Sequence, residues 1–255
     1  MLREFKILGV KINAVNLSTT IETMEYWIQT GLQDYVVLTG AHGIVEMQSD
    51  RELMMINNKA GLVTPDGMPE VWLGRLKGHK SIAKVYAPDI MNLFFSISPS
   101  KGYRHFLYGG KPGIAQKLAD VLRERFRGIQ IVGLYCPPFR ALTADEESHV
   151  VNLINESKPD VVWCGLGCPK QEKWMHQFRD KLDAPVLIGV GAGFDFLTGE
   201  KPHAPRWIIN SGFEWLYRMM SEPKRLWRRY LYVVPLFIIL LIAEFLHLYS
   251  PDKKD

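Results

Sequence analysis

The sequence predicts an α/β fold: mainly parallel sheets built from strand–helix–strand units, followed by a helical C-terminal appendage. Three observations predict it. Strand-like and helix-like segments alternate over the first two hundred residues, the pattern of βαβ units. The 255 residues are 47 % hydrophobic and 23 % charged, apolar enough to offset the entropy of ordering and to fill a core. The strongest basic excess and the most apolar run lie side by side in the last fifty residues.

Taken in order, Phe5–Ile12 is a short apolar run and reads as a strand. Thr19 with Glu22 suggests a capping box, Ile21, Met24, Trp27 and Ile28 form a helical stripe, and Gly31 stops it. Tyr35–Thr39 reads as a strand and His42–Met54 as a helix. Gly61–Thr64 is a short strand closed by Pro65-Asp66-Gly67, and Pro69–Lys77 and Ile90–Ile97 are helical. The alternation then sharpens: strand Tyr103–Tyr108, helix Pro112–Phe126, strand Ile129–Leu134, and a helix capped by Thr143 and Glu146 that runs to Ser157. Strand Val161–Cys164, helix Lys170–Leu182 and strand Val186–Val190 complete it. These units are Rossmann-like, and in such sheets ligands sit beyond the carboxyl ends of the strands. The appendage reads as a helix over Trp207–Met220 and another from Pro223, with Ser221-Glu222 as its cap. The expected division is a core over 1–204 and an appendage over 205–255.

The net charge is +4, yet residues 201–230 alone hold seven Lys/Arg against two Asp/Glu. Leu231–Ala243 follows without a charge, broken only by Pro235. Together they suggest an anionic ligand, an anionic membrane surface, or both. A nucleic-acid partner is disfavoured, because the apolar run would be hard to solvate there. Three cysteines make no disulfide scaffold and point to a reducing compartment, and Met1–Lys11 has no secretory signal. Burying Glu244 at the centre of a bilayer would be costly, so the apolar segment reads as interfacial or partly inserted.

Asp66 follows a buried strand, where its carboxylate is placed to act as a general base on a hydroxyl; an ordinary turn uses Asp in the same position for local hydrogen bonds. Gly165-Leu166-Gly167-Cys168-Pro169-Lys170-Gln171 and Gly189-Val190-Gly191-Ala192-Gly193 let backbone approach a ligand, but neither is the dinucleotide fingerprint. Gln171 and Asp195 are polar residues at strand ends. Lys84, Arg218, Arg225, Arg228 and Arg229 are suited to phosphate oxygens, or to lipid head groups alone. Arg218, Arg225 and Arg229 would share a face of a continuous helix, which Pro223 interrupts. The chain has no D-x-D, no H-x-x-x-H and no G-x-S-x-G, so neither a carboxylate-held metal nor a cofactor is expected.

These motifs come in a familiar order. Thr39-Gly40-Ala41-His42-Gly43, Thr64-Pro65-Asp66-Gly67-Met68, Val85-Tyr86-Ala87-Pro88-Asp89, Tyr108-Gly109-Gly110-Lys111-Pro112-Gly113, Pro169-Lys170-Gln171-Glu172-Lys173-Trp174, Gly191-Ala192-Gly193-Phe194-Asp195-Phe196 and Glu222-Pro223-Lys224-Arg225-Leu226-Trp227-Arg228-Arg229-Tyr230 resemble the WecG/TagA/CpsF glycosyltransferases from about Phe5 to Tyr230. The resemblance implies an inverting transfer from a UDP-sugar, best known as UDP-N-acetylmannosamine, to a polyprenyl-diphosphate-linked sugar in cell-surface polymer synthesis. It implies Asp66 as general base, Thr39, Gln171 and Asp195 lining the donor site, and arginines of an appendage that closes at the membrane and meets the diphosphate. It places the enzyme on the cytoplasmic face of the membrane, attached through the C-terminal segment. Where the family commonly has Asn after the first Thr, this chain has Gly40-Ala41-His42; Lys84 stands for Arg, Ala87 for Gly and His203 for Arg. These departures bear on which sugar is used. The alternative is a membrane-tethered UDP-sugar-binding protein without turnover. An exposed apolar appendage is also a candidate contact in a homo-oligomer.

Overall fold

A computed structural model describes residues 2–249. The chain opens with strands β1 (Glu4–Ile7) and β2 (Val10–Asn13), paired antiparallel as a separate hairpin. The single strand expected over Phe5–Ile12 is therefore two. Leu8 and Gly9, both at positive φ (50° and 77°), close a two-residue turn whose twist matches the strands. The mostly apolar run concealed that turn.

Helix α1 (Leu17–Thr30) starts two residues before Thr19, so no capping box forms there; it ends at Gly31 as expected. Strand β3 (Asp34–Thr39) leads to α2 (Ala41–Met47) and α3 (Arg51–Lys59). The single helix expected over His42–Met54 breaks because the Asp50 carboxylate accepts the Leu53 N–H at 2.9 Å and caps a new one. Strand β4 (Leu62–Pro65) and helices α4 (Met68–Leu76) and α5 (Ala87–Lys101) follow. Then come β5 (Arg104–Gly109), α6 (Ile114–Arg125), β6 (Gln130–Tyr135), α7 (Ala144–Ser157), β7 (Val161–Gly165), α8 (Lys170–Phe178), β8 (Val186–Gly189) and α9 (Gly193–Leu197). The Thr143–Glu146 capping box is present at α7. A 3-10 turn over Arg179–Lys181 ends α8 four residues early.

The larger sheet has the order β4-β3-β8-β7-β5-β6, and the β3–β8, β8–β7, β7–β5 and β5–β6 pairings are parallel. This is the mainly parallel α/β fold that the alternation predicted.

The chain clusters into two compact units. The first comprises the described parts of Met1–Leu17, Leu38–Tyr86 and Pro202–Asp255; the second comprises Ser18–Val37 and Ala87–Lys201. The core of the second unit is aromatic. Trp163 on β7 is fully buried among Phe94, Phe95 and His105, and its Nε1–H donates to His105 Nδ1 at 3.1 Å. That bond satisfies the indole donor inside the core.

The C-terminal segment packs within the first unit. Instead of one helix over Trp207–Met220 there are two, α10 (Arg206–Ser211) and α11 (Glu214–Ser221), because Gly212 takes a left-handed conformation (φ 84°) between them. Helix α12 (Pro223–Phe245) starts at Pro223 as expected. Leu226, Tyr230, Val233 and Phe237 form its buried stripe, at helical spacing. Its far end is tied down by polar bonds. The Glu244 carboxylate accepts the Leu8 N–H at 3.1 Å, and the Tyr249 hydroxyl donates to Gln48 Oε1 at 2.8 Å. The opposite face is apolar and open: Leu231, Tyr232, Ile238, Ile239, Ile242 and Phe245 are each at least half exposed. Among the described residues α12 is the helix long and apolar enough to cross a membrane, by length and composition.

Leu226 is 1 % exposed, so Leu226→Ala leaves a cavity at the start of the stripe. We expect a loss of about 3 kcal/mol, read by urea denaturation, within the range for buried Leu→Ala. A loss below about 1 kcal/mol would mean that the stripe does not hold α12 in place.

Candidate active site

In the first unit, the carboxyl end of β4 turns sharply into α4. The Asp66 N–H donates to the Thr39 carbonyl at the end of β3 (3.0 Å), and the Val85 N–H donates to the Pro65 carbonyl (2.8 Å). Asp66 is thus fixed on both sides by backbone; the residue keeps some exposed surface while protein surrounds its carboxyl. Thr39 contributes its carbonyl to this clamp. Its hydroxyl is buried and donates to Asn57 Oδ1 at 2.7 Å.

Helix α4 begins at the Gly67 cap, and Glu70 lies in its first turn with no exposed surface. A Cβ on Gly67 would fall 2.3 Å from Glu70 Oε2. Glycine is required here because the Glu70 carboxyl occupies the side-chain space, not because of the backbone angle, which is ordinary (φ −123°).

Two further stretches, the segment around Lys84 and helix α11, bring charge to Asp66. Lys84 Nζ pairs with the Glu214 carboxylate on α11, approaches the Ile209 carbonyl at 3.5 Å, and lies 4.8 Å from the centre of the Tyr86 ring. Arg218, one turn further along α11, faces both Asp66 and Glu214 electrostatically. His42, on the first turn of α2, faces Arg229 and Arg218.

The other arginines point elsewhere. Arg225 makes a two-pronged pair with Glu222 (2.7 and 2.8 Å) and Arg228 lies over the Trp227 ring; both side chains are exposed. The backbone breaks from helix at Glu222 (φ −129°, ψ 57°), so Arg218 sits on α11 while Arg225 and Arg229 sit on α12. Of the expected arginines, the fold brings Arg218 and Arg229 together and leaves Arg225 and Arg228 on the surface.

In the second unit, Gln171 is buried at the start of α8. Its Oε1 accepts the N–H groups of Gly167 (3.1 Å) and Gly191 (2.9 Å), while Nε2 donates to Glu172 Oε1 (3.0 Å). One side chain therefore joins the two glycine-rich loops beyond β7 and β8. Asp195, in the first turn of α9, pairs with Lys201 at 2.8 Å. Among the described residues no three His, Cys, Asp or Glu side chains gather as a metal site.

A family model described as the glycosyl transferase WecG/TagA/CpsF family matches residues 5–251. The chain belongs to this family. It is a glycosyltransferase. Among its relatives, an N-acetylglucosaminyldiphosphoundecaprenol N-acetyl-beta-D-mannosaminyltransferase of Bacillus subtilis is 28 % identical over 195 residues, covering 76 % of this chain and 73 % of the relative. A protein of the same name from Bacillus spizizenii is 29 % identical over 189 residues, covering 74 % and 71 %.

The electrostatics of this glycosyltransferase concentrate on the β4–α4 turn. Burial pushes Asp66 from its ordinary 3.8 up to about 7; Lys84 and Arg218 oppose the rise and Glu214 adds to it. Burial also pushes Glu70 up to about 8; Asp66 adds to the rise, while Lys84 and the N–H groups of Glu70 and Gly67 oppose it. Burial, then Arg229 and Arg218, lower His42 to about 4, so it is neutral near pH 7. Burial works against the charge of Arg218, but Tyr230, Glu214 and Asp66 outweigh it and its pKa is raised. Glu70 and Glu214 are residues that sequence reasoning did not name for the site; His42 entered it only as a departure from the family pattern. The available signal for Glu70 was a glycine three positions before an acid at the start of a helix.

Both raised carboxyls oppose folding once ionised. An acid whose folded pKa exceeds its unfolded value loses stability as pH rises from the unfolded value through the folded one. For Asp66 that window runs from about 3.8 to about 7. Asp66→Asn is therefore expected to raise Tm at pH 8, with the gain fading towards pH 4. Scanning calorimetry at several pH values reads this, and an unchanged or lower Tm at pH 8 contradicts it.

Proposed function

We propose that this enzyme moves N-acetylmannosamine or a related hexose from a UDP-sugar to a polyprenyl-diphosphate-linked sugar, with inversion at the anomeric carbon. The observation that carries the reading is Asp66: a carboxyl fixed at a strand end, pushed up to about 7, with Lys84 and Arg218 facing it. A general base works best with a pKa near the working pH. Ionised Asp66 takes the proton of the acceptor hydroxyl. The freed oxygen pair forms the new bond to the anomeric carbon, and the carbon–oxygen bond to UDP breaks with its electrons leaving on the diphosphate. Lys84 and Arg218 stabilise that charge, with Arg229 further along the same basic strip. In our reading Gln171 acts by holding the two glycine loops in register, and Asp195 by its place beside Lys201. Arg225 and Arg228, exposed on α12, serve the membrane surface.

The names of the two Bacillus relatives support the acceptor and sugar class. We place the enzyme at the cytoplasmic face of the membrane, where UDP-sugars are found. Its α12 rests in the interface: the open apolar face meets lipid, Lys224, Arg225 and Arg228 meet anionic head groups, and the buried stripe and Glu244 bond stay on the protein. A membrane-spanning α12 would have to give up both, leaving Glu244 uncompensated.

Release of UDP from a panel of UDP-sugars, with a short-chain lipid-diphosphate N-acetylglucosamine as acceptor, tests the chemistry. Asp66→Asn is expected to lower kcat by 10²- to 10⁴-fold, the usual contribution of a general base. Lys84→Ala is expected to lower it about 100-fold, as for one well-placed leaving-group stabiliser. For the wild type, kcat/KM falls tenfold per pH unit below about 7, where Asp66 becomes protonated. Donor binding without acceptor-dependent release of UDP, in every combination, overturns the reading.

Flotation with liposomes tests the surface. Binding to vesicles containing anionic lipid is expected to weaken at least tenfold when Arg225 and Arg228 are both changed to Glu, since each basic residue near such a surface contributes about 1 kcal/mol. Equal binding by the double variant rules out this use of the basic face.

A further inference from the structure

Glu70 is a charged residue type with no accessible surface and no place in the mechanism above. It lies one helical turn after Asp66, with its carboxyl in the space left by Gly67. No side chain hydrogen-bonds either carboxyl oxygen; the N–H groups of Gly67 and Glu70 face the carboxyl. The neighbouring cation, Lys84, is already bonded to Glu214. A carboxylate so placed would be a buried charge that these groups offset only in part; retaining the proton avoids that cost.

The groups facing the pair can be named. Asp66 comes from the turn after β4, Lys84 from the segment before α5, and Glu214 and Arg218 from α11. The β4 side chain next to the turn, Thr64, is buried and uncharged, and the inward residues of β1, Phe5 and Ile7, are apolar. All the cations named face Asp66, and of these only Lys84 also faces Glu70.

We propose that Asp66 and Glu70 form a carboxyl pair that holds one proton at neutral pH: Glu70 keeps it, Asp66 is the ionised member, and Glu70 is a positioning residue for the base. This rests on the reading of Asp66 as that base. Glu70 acts in two ways. Its bulk fills the Gly67 space and fixes the direction of the turn. Its neutrality spares Asp66 a like charge at close range, which would otherwise hold the Asp66 proton on. Ionisation of the pair then belongs to both residues, in two steps.

The test follows the Glu70 carboxyl directly, by NMR of wild-type protein carrying ¹³C at glutamate carboxyls. The resonance absent from Glu70→Gln is the one to follow. In the wild type it is expected to remain that of the acid at pH 7 and to titrate near 8. In Asp66→Asn, where the like charge is gone, its midpoint is expected at least one pH unit lower. Should Glu70→Gln not fold, the one glutamate resonance whose midpoint falls between wild type and Asp66→Asn serves as the assignment. An ionised Glu70 at pH 7, or a midpoint that Asp66→Asn leaves in place, overturns the pair. This arm requires no turnover, so it fails or succeeds independently of the proposed reaction. The pH profile of UDP release is the second arm. Glu70→Gln is expected to remove the inflection near pH 8 from kcat/KM. A residue that serves the structure alone would scale the profile without changing its shape, and that result also overturns the proposal.

Discussion

Burial of carboxyl groups at the carboxyl end of β4 is the constraint on which the candidate site depends. Asp66 is held there by the backbone of two neighbouring segments, and Glu70 fills the space beside it that only a glycine leaves open. Acids do not sit in such surroundings without compensation. The cations are found where that compensation is needed: Lys84 and Arg218 face Asp66, and Glu214 bridges towards both. Three stretches far apart in sequence, around residues 66, 84 and 214–218, are therefore linked by charge as well as by packing.

The C-terminal segment serves this arrangement from two sides. Through α11 it supplies Glu214 and Arg218. Through α12 it buries one apolar stripe against the first unit and leaves the other face to the surroundings. Glu244, which from composition alone looked like a liability in an apolar run, has a structural partner in the Leu8 N–H. The same helix is thus tied to the protein on one face and leaves an apolar face exposed on the other.

Gln171 illustrates the difference between touching a ligand and holding the residues that do. Its amide accepts two loop N–H groups and donates to Glu172. Any role it has is exercised through the glycine loops it joins. Glycine 189 shows the same economy of space: a Cβ there would fall 2.8 Å from the Gln171 amide nitrogen.

The alternation of strands and helices, the Thr143–Glu146 cap, the stop at Gly31 and the start at Pro223 were all legible in the sequence. Each is written in local residue chemistry or in a period of two against 3.6, so no distant contact is required to read it. The order of the motifs also carried the family. The Leu8–Gly9 turn and the breaks at Asp50 and Gly212 were not read from the sequence; backbone angles or a cap bond reveal them. At the site, local sequence marked Asp66 as a residue in a fixed turn and favoured an ordinary turn residue over a base, a role that only the family resemblance implied. Its raised pKa comes from burial and from the charges around it, which lie at positions up to about 150 residues away. Glu70 read as one more polar residue on a helix until folding removed it from water. Among five basic candidates, Lys84, Arg218 and Arg229 were drawn inward and Arg225 and Arg228 left outside, a choice fixed by where α11 ends and α12 begins. Local chemistry writes the elements; desolvation and long-range charge, which exist only once the chain is packed, assign the work.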